Sequence, residues 1–361
     1  MSSRLRWLVL LLATQAAWAQ DVRIGVLGLF HPRQLTLQAA PAQAVIVHAG
    51  TKNFVLERSS GEDTAKITMS GSDLIIQIGS QSVRTSSLRV SSRSNGGADF
   101  VLSVPGKLSR RYRGALDVKA VAGVLVPVVQ MDLETAVASV VQAESAPGTP
   151  LEALKAQAVA TRSYFVAARG RHRGFDFCDT THCQFLRAPP SSESDASRAV
   201  LATRGLVLVY RDQAVAAMFT RSCGGRTRTP REVGLSSLAY PYFPVACDYC
   251  LRHPSRWVRR VSSAEAAELR ERGEASRLEV DRRLGWDAVP SNNFTAHSDA
   301  RGVVLEGSGE GHGVGLCQAG ARAMAQAGAA FREILEHYYP NTQLVNRFRT
   351  DIALEKISGS E

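Results

Sequence analysis

A carboxylate on the apolar stripe of a helix is the first residue in this chain whose type and place could do chemistry, and it falls at Glu144. On a helix predicted to begin near Asp132, Leu133, Val137, Val140 and Val141 recur at i, i+4, i+7 and i+8, the spacing of a buried stripe. Glu144 follows Leu133 by about three helical turns and shares that stripe, while Glu134, Thr135, Ser139 and Gln142 are predicted on the wet face. A carboxyl on the core side must be paired, bound to metal, or protonated with a raised pKa, and the last is the condition of a general acid. The competing reading is a core ion pair, with Arg162 as partner.

A second helix is punctuated clearly. Pro147 and Gly148 close the first helix, Thr149 is the predicted N-cap, Pro150 takes the first helical position, and Glu152 completes a T-x-x-E capping box. The helix should run to about Arg169 and stop at Gly170. Lys155 and Arg162 share one face, as do Gln157 and Tyr164, so polar groups could be aimed at one place from two neighbouring rows. Spacing alone equally fits a core helix with solvated ends.

Two sets of metal-ligating side chains stand out. His172, Cys178, His182 and Cys183 lie close in sequence and combine thiolate with imidazole, a donor set for tetrahedral zinc, although the two cysteines of CDTTHC could instead close a small disulfide loop. Cys223, Cys247, Cys250 and Cys317 suit either a structural zinc site or two disulfides. No Cys/His/Asp arrangement around them makes a nucleophile legible. The glycine-rich residues 307–320 lack the G-x-x-x-x-G-K-[ST] order of a phosphate loop.

The elements that must position these groups divide the chain. Residues 1–20 carry two arginines, a short apolar run and an A-x-A site, and read as a signal peptide, so the protein is expected to be exported and not integral to a membrane. Residues 21–123 read as short strands separated by Gly, Ser, Asn and Asp turns, a β-rich N-terminal module without obvious chemistry. Residues 124–361 are expected to form the catalytic domain. Within it a third helix with Ser192 as N-cap, a hairpin turning at residues 211–213, two helices over 262–286, strands over 293–305 and two closing helices joined near Gly328 are predicted. The fold class is α+β, with helices packed around a small antiparallel β core. The formal charge of +10 falls to +8 without Arg4 and Arg6 and favours a polyanion such as an acidic cell wall. Nucleic acid is disfavoured by export and by scattered basic residues without interleaved aromatics.

The segments VVQAE, EALKAQAVATRSY, FDFCDTTHCQ, FTRSCGGRT, GEGHGVGLCQAGARAMAQAG and ILEHYYPNTQL, with YRGALDV upstream, resemble the SpoIID/LytB family in the same order and at similar separations over about residues 112–344. The resemblance implies an exported lytic transglycosylase of the periplasm or cell-wall space, with Glu144 as single acid and base. It would cleave the MurNAc–GlcNAc bond of stem-free peptidoglycan glycan strands to a 1,6-anhydro product. It further implies that Lys155, Gln157, Arg162, Tyr164, His312 and Gln318 position the glycan or tune Glu144, that the glycines of 307–320 let the backbone pass close to sugar, and that zinc occupies the His172 set. The alternatives are a noncatalytic amidase enhancer that works through a cell-wall amidase, or a glycan-binding protein. Cys223 and Cys317 stand where the family pattern leads us to expect serine.

Overall fold

The computed structural model describes residues 21–57, 61, 63–93, 97–237 and 239–347. The expected signal peptide lies outside the described residues.

Among the described residues eleven strands come first: β1 (Asp21–Gly25), β2 (Gln34–Ala39), β3 (Ala44–Ala49), β4 (Lys52–Glu57), β5 (Thr64–Ser70), β6 (Asp73–Ile78), β7 (Gln81–Thr85), β8 (Ser87–Ser92), β9 (Ala98–Val104), β10 (Leu108–Val121) and β11 (Val124–Asp132). Their period-two patterning is plain in β2 and β3, where Leu35, Leu37 and Ala39, then Val45, Val47 and Ala49, turn inward. The long β10 pairs with β9 along its first half and with β8 along its second, so the sheet curls and its strands share one core.

The α+β class expected from sequence is what the chain forms, and the expected β-rich N-terminal stretch is a large curled antiparallel sheet. The expected boundary at residue 123 meets a difficulty. Ala122 and Gly123 take positive φ of 49° and 81°, the backbone of a tight hairpin turn, and β10 pairs with β11 from Ala115↔Gln130 to Val121↔Val124. A cut there would divide a hairpin. The run ALDVKAVAGVLVPVV conceals this because both strands are apolar and only two small residues separate them.

The helices follow without a linker. Asp132, the last residue of β11, caps α1 (Leu133–Glu144) by accepting the Thr135 N–H at 3.0 Å. After the turn at Gly148 comes α2 (Leu151–Ala167), buried on nearly every side because five alanines let neighbours approach. The predicted capping box of α2 does not form. The Thr149 hydroxyl donates back to the Ala146 carbonyl at 2.6 Å, and Glu152 turns instead to Lys155 and to the Phe331 N–H.

Next are β12 (Phe177–Cys178), α3 (Asp195–Ala202, capped by Ser194 and not by Ser192), β13 (Leu206–Tyr210) and β14 (Gln213–Ala214), the last two joined through Arg211 and Asp212 at positive φ as the hairpin reading expected. Then follow β15 (Phe219–Thr220), α4 (Asp248–Arg252), β16 (Arg256–Val261), α5 (Ser263–Arg272), α6 (Glu274–Leu284), β17 (Phe294–Asp299), β18 (Gly302–Ser308), β19 (Leu316–Cys317), α7 (Gln318–Gln326), α8 (Phe331–Tyr338) and β20 (Gln343–Asn346).

Three cores result. The curled sheet closes over α1 and one side of α2; α7 and α8 pack with the other side of α2; and β16–β18 form a lobe with α5 and α6 around Trp257, Leu269, Val280 and Leu305. Among the described residues no helix is long and apolar enough to cross a membrane.

Candidate active site

The three cores meet around a cleft of about 670 Å³. Glu144, the final residue of α1, stands half-buried in its wall. Burial raises its carboxyl from the ordinary 4.5 to about 7, against the opposing pull of Arg221, the Gln318 side chain and Arg187. Its place at a helix C-terminus, the negative end of the macrodipole, acts in the same direction as burial. Gln318 lies beside it, its amide donating to the Glu144 backbone carbonyl at 3.3 Å.

Other cleft carboxyls are held differently. Glu274 makes two hydrogen bonds to Arg277, at 2.8 and 2.7 Å, which keep it below its usual range despite its burial. Asp281 is pushed up to about 6 by burial, yet it too pairs with Arg277 at 2.7 Å. Asp179, also raised by burial, pairs with Arg110 at 2.7 Å, and Glu310 with Arg221 at 3.1 Å. Of the carboxyls raised by burial, Glu144 alone makes no ion pair among the described residues.

The predicted partners of Glu144 scatter. Tyr164, His312 and Gln318 line the cleft. Lys155 does not reach it: its ammonium bonds Glu152 at 2.5 Å and lies 5.9 Å from the Phe331 ring centre, tying α2 to α8. Arg162 is 1% exposed, forks onto both carboxylate oxygens of Glu134 at 2.9 and 2.6 Å, and donates to the Leu206 and Val200 carbonyls. It is a structural pin between α1, α2 and the chain beyond. Glu134 is therefore not on a wet face, and neither is Ser139, whose hydroxyl bonds the Thr135 carbonyl inside the core. The core ion pair of the competing reading exists, but its acid is Glu134 and not Glu144. Gln157 is buried with both amide atoms unpartnered among the described residues, and it does not line the cleft.

His312 accepts the Val314 N–H on Nδ1 at 3.0 Å and has the Phe219 backbone as a further partner. Burial holds it below the usual histidine range, so the neutral ring is engaged by the chain. The glycine run serves the same packing. A Cβ at Gly309 would come 2.7 Å from the Ser222 carbonyl oxygen, and one at Gly311 would come 2.6 Å from the Thr220 hydroxyl. These glycines let the loop lie on residues 218–224, and only Gly311 among them faces the cleft.

Sequence reasoning missed Arg110, Arg187, Arg221, Phe185 and Trp286, all of which line the cleft. Arg187 stacks on Phe185 with its guanidinium 3.4 Å from the ring centre. The sequence signal for three of them was their lying in or near the motifs, Arg221 in FTRSCGG, Phe185 two residues past THC and Arg110 two residues before YRGALDV, and Trp286 lies near none of them.

The loop that supplies Phe185 and Arg187 is gathered by His172, Cys178, His182 and Cys183, whose donor atoms all lie within 4.8 Å of one another. His172 Nε2 is 3.2 Å from the Cys183 sulfur, and His182 Nδ1 is 3.7 Å from Cys178 and 3.5 Å from Cys183. A tetrahedron with Zn–N and Zn–S bonds of normal length has edges of roughly 3.3 to 3.8 Å, so the four side chains fit a zinc ion. His182 and its neighbour Cys183 reach the same point because the imidazole turns back through Nδ1.

The SpoIID family profile, described as stage II sporulation protein, matches residues 122–210, the span from β11 through α1, α2 and the histidine–cysteine loop to β13. An uncharacterized protein of Brachyspira hyodysenteriae is 31% identical over 68% of this chain and 75% of its own length. The stage II sporulation protein D of Bacillus subtilis is 26% identical over 59% of this chain and 74% of its own, and the amidase enhancer of that organism 25% identical over 54% of this chain. This chain spans 38% of the amidase enhancer's length. The chain belongs to the SpoIID family.

Proposed function

We propose that the protein is an exported peptidoglycan lytic transglycosylase with Glu144 as its single acid and base. The observation that carries this reading is a cleft carboxyl raised to about 7 with no ion pair among the described residues to hold it ionised. Near neutral pH such a group is present in both forms, as a residue that must first give and then take a proton requires. Protonated Glu144 donates to the glycosidic oxygen as the bond from C1 of N-acetylmuramic acid breaks. The resulting carboxylate accepts the C6 hydroxyl proton while that oxygen closes on C1. No water is consumed and the proton returns to Glu144, so the second carboxylate of a hydrolytic pair is not needed. Arg221, Gln318 and Arg187 lower the carboxyl's pKa against burial, and Phe185 and Trp286 offer apolar surface to sugar rings.

Zinc belongs to this proposal as a structural ion held by His172, Cys178, His182 and Cys183. Four protein ligands leave no open position, so it would supply shape and not Lewis acidity, fixing the loop that carries Phe185 and Arg187. Native mass spectrometry should show an ion that Cys178→Ser loses; a Cys178–Cys183 disulfide in the wild type would refute it.

The test of function is the product. Stem-free glycan strands incubated with purified protein should yield 1,6-anhydro ends by mass spectrometry. Ordinary reducing ends would indicate a hydrolase. Absence of any product would favour the second reading, a noncatalytic partner of a cell-wall amidase, which the likeness to the amidase enhancer supports.

A further inference from the structure

The four remaining cysteines lie behind the cleft, outside its lining, and all are buried. They come from separate segments: Cys223 after β15, Cys247 and Cys250 at the start of α4, and Cys317 at the N-cap of α7. Nevertheless their four sulfurs lie within 4.8 Å of one another, and Cys250 and Cys317 are 3.6 Å apart. We propose that they form a second metal site, a closed zinc tetrathiolate that is structural.

Three features distinguish this site from the two disulfides that export would otherwise favour. A disulfide joins sulfurs in pairs at about 2.05 Å and leaves the two pairs independent, whereas here all four lie within 4.8 Å of one another, and the 3.6 Å between Cys250 and Cys317 is close to a tetrahedral edge, roughly 3.8 Å for Zn–S bonds of normal length. Each of three sulfurs also has hydrogen-bond donors around it. Cys317 receives the backbone N–H groups of Cys223 and Gly320, both at 3.4 Å; the Tyr338 hydroxyl is 3.5 Å from Cys247, and the Ser222 hydroxyl 3.5 Å from Cys250. Such donors offset the two net negative charges of a zinc tetrathiolate, as the outer shell of a buried thiolate site must, while disulfide sulfurs have little use for them. Finally, the room is tailored. A Cβ at Gly320 would come 2.6 Å from the Cys247 sulfur and collide with the Tyr338 hydroxyl, so the helix that offers its N-terminus to Cys317 carries in its first turn a glycine that leaves room for the sulfurs to meet.

Tetrahedral S4 donor sets suit zinc or a single iron. A multi-iron cluster sets bridging sulfides between its thiolates and needs them further apart than this. Binding zinc releases the thiol protons, and the ion then ties the chain after β15 to α4 and α7.

The site is independent of whether Glu144 catalyses, and its test reads metal and not turnover. Full-length protein expressed with zinc is measured by elemental analysis and native mass spectrometry, alongside Cys250→Ser, Cys178→Ser and the double variant. The expected result is a zinc ion that Cys250→Ser loses and Cys178→Ser retains. Because Cys250→Ser could fail to fold, wild-type protein is also denatured in chelator with a thiol-alkylating reagent, and peptides are mapped without reduction. Cys223, Cys247, Cys250 and Cys317 should all be recovered alkylated. Recovery of these residues in disulfide-linked peptides would overturn the proposal, as would metal content unaffected by Cys250→Ser in a folded variant. Stoichiometric iron with visible charge-transfer absorption would overturn the assignment to zinc.

Discussion

Replacing Glu144 by glutamine separates two consequences of one burial. In the folded chain the carboxyl holds its proton up to about pH 7, against an ordinary 4.5. Between those values the folded state binds more protons than the unfolded one, so this residue's contribution to stability falls as pH rises and reaches its full cost above 7. That cost is about 3 kcal/mol at most, from roughly 1.4 kcal/mol per pKa unit. Glutamine keeps the shape and has no such dependence. The difference in unfolding free energy, variant minus wild type, should therefore stay level below pH 4.5 and climb by up to about 3 kcal/mol by pH 8. Paired urea titrations at pH 5, 6, 7 and 8 with zinc in the buffer would measure it, since terms common to both proteins cancel. Turnover should meanwhile fall by about 10² to 10⁴, the usual worth of a positioned proton donor. A stability difference that is flat across this range would show that the carboxyl is not shifted. Turnover within tenfold of wild type would remove Glu144 from the chemistry.

Arg162→Met should cost about 3 to 5 kcal/mol in urea unfolding, because Glu134 loses its partner inside the protein, while turnover per folded molecule stays within a few fold; unchanged stability with lost turnover would return Arg162 to the site. Arg221→Gln removes a cation that favours ionised Glu144, so the basic limb of the kcat/KM profile should move to higher pH, and by less in high salt because Arg221 is 65% exposed. An unmoved limb at low salt would contradict the action of the Arg221 charge on Glu144. Gly320→Ala should lower the melting temperature and the zinc content together; full zinc content in the variant would show that the crowding at this glycine relaxes freely. Removing residues 21–110 strips β10 of β8 and β9 and should leave no soluble folded protein, which size-exclusion chromatography would show; a well-folded, active truncation would support a boundary at residue 123.

Glu144 was legible in the sequence because Leu133, Val137, Val140 and Val141 mark an apolar row that carries through to the last turn of α1. No such signal existed for Arg162 and Lys155. The helix α2 is buried almost all round, so periodicity cannot say which neighbour a polar side chain meets, and one arginine found a carboxylate in α1 where a substrate role was expected. The histidine–cysteine cluster could be read because its members are close in sequence. The second cysteine set could be counted but not assembled, since Cys223 and Cys317 are 94 residues apart and meet only through the parallel pairing of β15 with β19. Arg187 and Arg221 were illegible for a related reason: each sits in a loop beside a motif, and only the packed chain shows which way it faces.

The join between β11 and α1 acts as a protractor. With Asp132 serving both as strand end and helix cap, no loop absorbs error between the sheet and the carboxyl twelve residues on. One residue inserted after Asp132 would advance Glu144 by 1.5 Å and swing it about 100° around the helix axis, out of the cleft, whereas seven inserted residues would restore its bearing while displacing it about 10 Å. The phase of this helix is thus set by the register of a strand, and the curled sheet, which contributes few side chains to the cleft, decides the direction in which the acid points.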